Sequence, residues 1–307
     1  MKRYIPEAIR NRALAADHAD WLAQLDETVA ALEAQWHIRV GEALPGGTHA
    51  YVAPATGDDG KDYIFKLDQP EESDVFTPEI RFLQQAQGRG YVQMYEVDLD
   101  RRACLLEPLG ASLASLDLPP REQMRILCQT LQLIWDCPVT EELPDGRQSL
   151  QWFREFIPAT NKDLGYPLSD AAIARAMAYL DTREAAYDPA DHVLIHGDAN
   201  AQNILQSRDS ATGFKLIDAD GLVYEKAYDL GVLMREWREE YTNDPLQAAQ
   251  ERCEYLHRLT GVDRAAIWQW GYLQCVATAL VAWNILPDDA RALAQMAEAW
   301  CDTACNC

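Results

Sequence analysis

Within a largely helical second half, three short β-favouring runs stand close together: His192–Ile195 (HVLI), Asn203–Gln206 and Phe214–Ile217 (FKLI). Apolar runs of this length bounded by turn residues read as strands, and the boundaries here are the segment HGDANAQ and the turn-rich SRDSATG. Any fold that accepts this island must bring two carboxylates and an amide to neighbouring strand ends. Asp198 and Asn203 lie five apart on a loop between strands, so both can face one pocket. Asp218 follows the third run directly and arrives from the next hairpin arm to join them.

Such a set suits phosphoryl transfer, where a protein does little covalent work and must hold magnesium, neutralise phosphate charge and aim the acceptor oxygen. Magnesium prefers oxygen donors. On that reading Asn203 and Asp218 are the metal ligands, and Asp198 is the catalytic residue that orients the acceptor hydroxyl and takes its proton. Base catalysis contributes about 10²–10⁴ in rate. Positioning is the larger part of the role, because a loose transition state leaves the hydroxyl proton in place until late. The competing reading is a turn whose carboxylate and amide bond to local backbone. His196 reads as an internal brace of the loop, and Asp220 as either a second metal contact or a turn residue.

The rest of the chain reads as two lobes. From Leu14 to Trp36 the apolar residues recur three or four apart, the stripe of one or two amphipathic helices. The period then changes: Ile38 and Val40, Tyr51 and Val52, and Ile64–Leu67 form short runs separated by PGGT and TGDDGK, an antiparallel meander. A helix is expected over Thr77–Gln87, opened by Thr77 and Pro78 and ended by Gly88 and Gly90. Strands over Tyr91–Val97 and Ala103–Glu107 follow, joined by DLDRR. Past Pro108 long helices take over at Pro120–Trp135, Leu150–Ile157 and Ser169–Tyr187, and helices resume from Ala227. The 307 residues thus divide into a lobe over 1–108, a small sheet with one key helix behind N-terminal helices, and a mainly helical lobe over 109–307 that carries the strand island. The fold class is α+β.

Lys and Arg number 27 against 49 Asp and Glu, a net charge of −22. That sign repels nucleic-acid phosphates and anionic membranes and concentrates cationic ligands at low salt; plain solubility accounts for it equally well. No apolar run approaches the roughly 20 residues of a membrane span, and MKRYIPEAIR is not followed by the apolar stretch of a signal peptide. A cytoplasmic protein with neither nucleic acid nor membrane as partner is expected. Eight cysteines lie mostly in apolar helical patterns and read as reduced core thiols. The tail cysteines Cys301, Cys305 and Cys307 lack the histidine or second pair of a zinc site.

The string HGDANAQNIL followed by LIDADG resembles the catalytic and metal-binding motifs of aminoglycoside phosphotransferases, relatives of protein kinases. The run GLVYEKAYDLGVLMRE resembles the segment after the metal aspartate in the streptomycin and hydroxyurea kinases of that group. The resemblance implies a protein-kinase-like two-lobed fold, with ATP (GTP as an alternative donor) and Mg2+ as cofactors, in a monomer or weak homodimer. It implies that Asp229 is a structural acceptor steadying the catalytic loop. It also implies a nucleotide clamp in the first lobe: Lys66 in the strand YIFKL, paired with Glu79 in the TPEIRFL helix. In the loop Pro45-Gly46-Gly47-Thr48-His49 the glycines would let the backbone N–H groups of Gly46, Gly47 and Thr48 approach phosphates, or they form a plain hairpin turn. The segment LLEPL resembles the hinge between lobes, where main-chain groups of Glu107 and Leu109 would meet the adenine edge; a β-to-α connector is the alternative.

Glu236, Glu239 and Glu240 stand close to Trp237, a combination that suits a polycationic or guanidinium-bearing acceptor through ion pairs and cation–π contact. A solvated helix face with core aromatics is the other reading. The function implied is transfer of the ATP γ-phosphate to a hydroxyl of a small cationic antibiotic, an aminoglycoside first. The alternatives are a metabolic kinase of the same fold acting on an alcohol or amino sugar, and a nucleotide-binding scaffold without catalysis. A protein kinase is disfavoured: only ten residues separate Asp218 from Asp229, and no A-P-E follows.

Overall fold

The computed structural model describes residues 3–45, 47, 49–70, 74–139, 143–301 and 303. Helices α1 (Glu7–Ala15) and α2 (Ala19–Trp36) lead into the antiparallel meander β1 (Ile38–Val40), β2 (Ala50–Gly57) and β3 (Asp62–Asp68). After α3 (Phe76–Ala86), β4 (Met94–Asp98) and β5 (Ala103–Leu106) complete a five-stranded sheet in the order β1-β2-β3-β5-β4. Strand alternation decides what each β3 side chain meets. Phe65 and Leu67 bury against Leu25, Val29 and Leu32 of α2, while Lys66 between them points to the other face, opposite Cys104 of β5. Burying such side chains contributes roughly 1.5–3 kcal/mol each. A one-residue slip of β3 would drive Lys66 into that apolar layer, so its register is held firmly.

In the second lobe, α5 (Arg147–Asp163), α6 (Asp170–Ala185), α7 (Ala227–Arg235), α8 (Pro245–Thr260) and α10 (Pro287–Trp300) surround α9 (Arg264–Ala282), and α4 (Pro120–Trp135) packs on α8. α9 buries Trp268, Trp270, Tyr272, Leu273 and Val276 around its circumference, the composition of a central helix. Ser169 caps α6 as expected, accepting the Ala172 N–H. α5 starts earlier and runs further than Leu150–Ile157, with Pro158 inside it. The proline lies on the exposed side, and Asn161 anchors the last turn through hydrogen bonds to both main-chain groups of Leu168 (3.0 and 3.1 Å).

The strand island is two ribbons rather than one. β7 (Ile204–Gln206) and β8 (Phe214–Leu216) form the hairpin, but β6 (Val193–Ile195) pairs with β9 (Leu222–Tyr224), a strand the sequence reading did not contain. Gly221, at φ +69°, turns the chain back into β9, and a Cβ there would stand 2.5 Å from the Pro78 carbonyl carbon in α3. The strand expected from Tyr91 begins only at Met94; Tyr91 bridges Leu216 of β8 instead and so ties the first lobe to the hairpin. Hydrophobic packing accordingly does not divide at residue 108. α3, Tyr91, Cys104 and Leu106 share one core with the helical lobe, while α1, α2 and the outer sheet face form a smaller one. Cys104, Cys128, Cys137, Cys253, Cys275 and Cys301 are buried free thiols, and Cys305 and Cys307 lie outside the described residues. Among the described residues no helix is long and apolar enough to cross a membrane.

Candidate active site

Between the lobes opens a cavity of about 1310 Å³, more than the roughly 300–1,000 Å³ of a single small-ligand pocket. The first lobe contributes Pro45, Gly47 and His49 from the β1–β2 loop, with Lys66, Asp68 and Glu79. The second contributes Asn203, Asp218, Asp220 and Tyr228, together with Gln148, Ser149 and Trp152 from the first turns of α5. Gly46 and Thr48 of the expected phosphate loop lie outside the described residues.

Lys66 Nζ lies 2.8 Å from both Glu79 carboxylate oxygens, 3.1 Å from Asp218 Oδ1 and 4.0 Å from Asp68 Oδ2. The contact between a strand lysine and a helix glutamate is therefore formed. Asp68 joins it because it lies two residues along β3 and shares the cleft face of the strand. Burial alone would lower the Lys66 pKa, but the Glu79, Asp68 and Asp218 carboxylates outweigh it and keep the ammonium charged well above its ordinary range. Burial pushes the Glu79 carboxyl up against the pull of Lys66. Lys66 holds Asp218 below the usual carboxylate range.

The loop that carries Asp198 is held from beneath by Asp229. This carboxylate, fully buried in the first turn of α7, accepts the His196 N–H (3.1 Å), the Gly197 N–H (2.9 Å) and the Trp135 indole N–H (3.0 Å). His196 Nδ1 accepts the Asp198 N–H at 3.1 Å, so the ring proton sits on Nε2, which donates to the Ile217 carbonyl at 2.9 Å. Local turn bonding falls mainly to Asn200, whose Oδ1 accepts the N–H groups of Gln202 and Asn203. The Asp198 carboxylate instead meets side chains. Oδ2 accepts from Asn200 Nδ2 at 3.0 Å, and Oδ1 is held by Arg235 at the end of α7. Arg235 is braced in turn by Gln274 (3.0 Å) and Thr278 (2.6 Å) of α9. Nothing in the spacing of the sequence marks Arg235, which stands one residue before the glutamate that drew notice. Asp198 does not itself line the cavity but stands at its border beside Asn203, its side chain 42% exposed.

Asn203 donates from Nδ2 to the Asp198 carbonyl at 3.0 Å, which leaves its Oδ1 uncommitted. Asp218 meets Lys66 through Oδ1, and its Oδ2 accepts no hydrogen bond among the described residues. Its backbone stands at φ +57°, a left-handed conformation that aspartate adopts more readily than most side chains and that clusters at functional sites. Among the described residues, no three His, Cys, Asp or Glu side chains form a metal cluster. Two hard oxygens beside an ammonium fit a divalent cation whose remaining ligands arrive with phosphates.

The other expected site residues do not line the cavity. Glu107 accepts the Gln93 N–H at 2.6 Å and pairs with Lys215 of β8, and its own N–H donates to the Gln93 carbonyl at 2.9 Å. Leu109 packs on the large core, and neither residue lines the cavity. Glu236, Trp237, Glu239 and Glu240 do not line it either. Buried Arg252 needs a counter-charge and takes Glu240 at 2.6 Å, with its guanidinium 5.5 Å from the Trp237 ring centre. Glu236 flanks Arg235 at 3.5 Å, and Glu239 faces solvent. Asp220 does line the cavity, packed over Gly197; loss of hydration in the recess, then the Asp198 and Asp229 carboxylates, push its carboxyl to about 7.

Solved structures share this architecture. A choline kinase from Streptococcus pneumoniae superposes with a TM-score of 0.62 at 16% identity, over 91% of this chain and 100% of that one. An amicoumacin kinase solved with AMP-PNP, Ca2+ and Ami gives 0.60 at 15% identity, over 93% and 96%. A spectinomycin phosphotransferase solved with ADP and spectinomycin gives 0.51 at 15%, over 89% and 97%. At these identities the likeness is one of fold, a two-lobed kinase-like α+β architecture. No curated protein sequence matches the chain. The sequence signature of one family, however, runs from residue 35 to residue 285, across both walls of the cavity and every residue of the Lys66, Asp198, Asn203 and Asp218 set; the chain belongs to the aminoglycoside/hydroxyurea antibiotic resistance kinase family.

Proposed function

We propose that this small-molecule phosphotransferase moves the γ-phosphoryl group of ATP to a hydroxyl of a small cationic compound, an aminoglycoside-type antibiotic being the first candidate. The observation that carries the reading is the meeting at one cavity of the Lys66 ammonium, the uncommitted oxygens of Asn203 and Asp218, and an Asp198 carboxylate aimed by Arg235. Adenine would lie against Val52, Leu205 and Ile217, which line the cavity. The phosphates would pass the loop of Gly46, Gly47 and Thr48, whose backbone N–H groups suit anions. Lys66, charged and steadied by Glu79, would take phosphate oxygens. Mg2+ held by Asn203 and Asp218 would neutralise phosphate charge.

Asp198 accepts the hydrogen bond of the acceptor hydroxyl and so fixes the direction of its oxygen. That oxygen attacks the γ-phosphorus, the bond to the β,γ-bridging oxygen breaks, ADP leaves, and the hydroxyl proton passes to Asp198 as the new P–O bond forms. Arg235 is a positioning residue: it touches Asp198 and is itself tied to α9. A scaffold that only bound nucleotide would have no use for a carboxylate aligned in this way. The enzyme would work where ATP is plentiful, in the cytoplasm, as a monomer or weak homodimer.

The test is a panel of aminoglycosides, with choline and ethanolamine alongside, offered with ATP and Mg2+ while ADP release and product mass are followed. Phosphate gain by an aminoglycoside is expected. Failure across the aminoglycosides removes the antibiotic assignment, and turnover of choline or ethanolamine alone favours the metabolic alternative. Asp198→Ala should retain ATP binding and lose turnover by a factor on the order of 10² or more. Unchanged turnover would remove Asp198 from the chemistry.

A further inference from the structure

Glu107 and Lys215 form an ion pair enclosed by the fold, at 8% and 5% exposure. Neither side chain lines the cavity, so the pair touches no ligand there. It is also a poor source of stability: two charges taken out of water recover little more than their own desolvation, and apolar residues of similar volume often hold a fold as well or better. What a buried polar pair supplies best is register.

Register matters at this place. β7 and β8 share only three residue pairs, Ile204 with Leu216, Leu205 with Lys215 and Gln206 with Phe214, and the loop 207–213 between them is longer than the tight turns that fix a hairpin's alignment. Asn203 directly precedes β7 and Asp218 closely follows β8. The Ile217 N–H donates to the Asn203 carbonyl at 2.9 Å and closes the ribbon end from which both project. In this alignment Lys215 shares a face with Leu205, which lines the cavity, while Ile204 and Leu216 are fully buried in the core. A slip of one residue in β8 would turn the Lys215 ammonium into that core and break the Ile217–Asn203 bond.

Main-chain bonds lay the ribbon in its place. Leu216 bonds to Gly90 and Val92, both at 2.9 Å, and Gln206 to Gly110 at 2.8 Å and Ala111 at 2.9 Å. Backbone groups are alike at every residue, however, and do not choose which residue takes each position. The side-chain pair does. Glu107 is itself fixed at the connector between the lobes: its N–H donates to the Gln93 carbonyl at 2.9 Å, and its Oε1 accepts the Gln93 N–H at 2.6 Å.

We propose that Glu107 and Lys215 are a positioning pair for the metal-nucleotide half of the site, fixing the register of the β7–β8 ribbon and with it the placement of Asn203 and Asp218. The inference rests on the reading of those two residues as metal ligands and adds to it two residues that touch neither metal nor nucleotide. It gives the Glu107 side chain a part distinct from the one expected of its main chain at the adenine edge.

The experiment follows AMP-PNP binding by calorimetry across a Mg2+ titration, which needs no acceptor, and reads thermal midpoints on the same proteins. Lys215→Met alone leaves a buried carboxylate unpaired and should lower the midpoint by about 5 °C or more. The double variant Glu107→Gln/Lys215→Met removes both charges and keeps an acceptor for the Gln93 N–H, so its midpoint should return to within about 3 °C of wild type. The Mg2+ concentration at half-maximal binding should nevertheless rise about tenfold or more, while the affinity at saturating Mg2+ moves less than about threefold. Glu107→Asp keeps the pair but shortens it; it should show the same selective rise at a near-native midpoint, and it decides the matter if the double variant does not fold. A wild-type Mg2+ requirement in the deciding variant would make the pair structural only and overturn the proposal. So would a loss of affinity that saturating Mg2+ does not restore. A wild-type protein whose AMP-PNP affinity is indifferent to Mg2+ would instead remove the metal reading of Asn203 and Asp218, and one that binds no AMP-PNP the phosphotransfer reading as a whole.

Discussion

Asp229 shows how a residue outside the chemistry can decide whether the chemistry has a frame. Its two oxygens accept three donors that no water reaches: the N–H groups of His196 and Gly197 and the Trp135 indole. Removing the carboxylate leaves those donors buried and unmatched, at about 1–3 kcal/mol each. Asp229→Ala should therefore lower the unfolding free energy by about 3 kcal/mol or more, read from urea denaturation. An unshifted midpoint would mean that His196 and Ile217 hold the loop without it. The role of Asp229 came from motif resemblance, whereas Arg235, Asp68 and Trp152 could not be read in advance, since each acquires meaning only from the side chain it meets.

At the scale of elements, the turn between β8 and β9 is the joint between the lobes. Gly221 passes so close to Pro78 and Glu79 that any side chain there must push α3 away from the cleft, and α3 carries the carboxylate that steadies Lys66. Gly221→Ala should cost about 1–3 kcal/mol in backbone strain and displacement and also lower kcat/KM for ATP by about tenfold or more. Gly261→Ala is the control. Its φ is equally left-handed at +74°, but nothing lies within 4 Å, so it should lose stability alone. Steady-state kinetics on both variants separates the cases, and a Gly221→Ala enzyme with wild-type kinetics would show that α3 tolerates the displacement.

For the whole molecule, charge and burial act on stability in the same direction. Asp220 and Glu79 are pushed to about 7, and burial also raises Asp229 and Glu236. An acid whose folded pKa lies above its unfolded value binds more protons when folded, so stability falls as pH rises from about 4 towards 7. The net charge of −22 adds to this, because neutralising carboxylates relieves self-repulsion. His192, whose pKa burial lowers, works the other way below its ordinary value, one imidazole against four carboxyls. Carboxylates held low by partners, Asp218 among them, lose their contribution only below about pH 4. The metal-free protein should therefore be most stable at about pH 5–6 and weaker at pH 8, which calorimetric midpoints will show. A higher midpoint at pH 8 would contradict the assignment, and Asp220→Asn should flatten the decline.

The amino-acid order by itself determined what is local: the alternation that turns Lys66 away from Phe65 and Leu67, the cap at Ser169, the helix of Glu79, and the spacing that sets Asp198 and Asn203 on one loop with Asp218 just beyond. Each depends on residues a few positions apart, where backbone geometry and side-chain period suffice. Tertiary structure alone decided that β6 pairs with β9, that Arg235 meets Asp198, that Arg252 pairs with Glu240 and lies over Trp237, and that α5 brings Trp152 to the cavity lined by Asp220. A hydrophobic pattern states which face of an element is buried but not which partner buries it. Charges far apart along the chain are assigned to one another only when packing has brought them together.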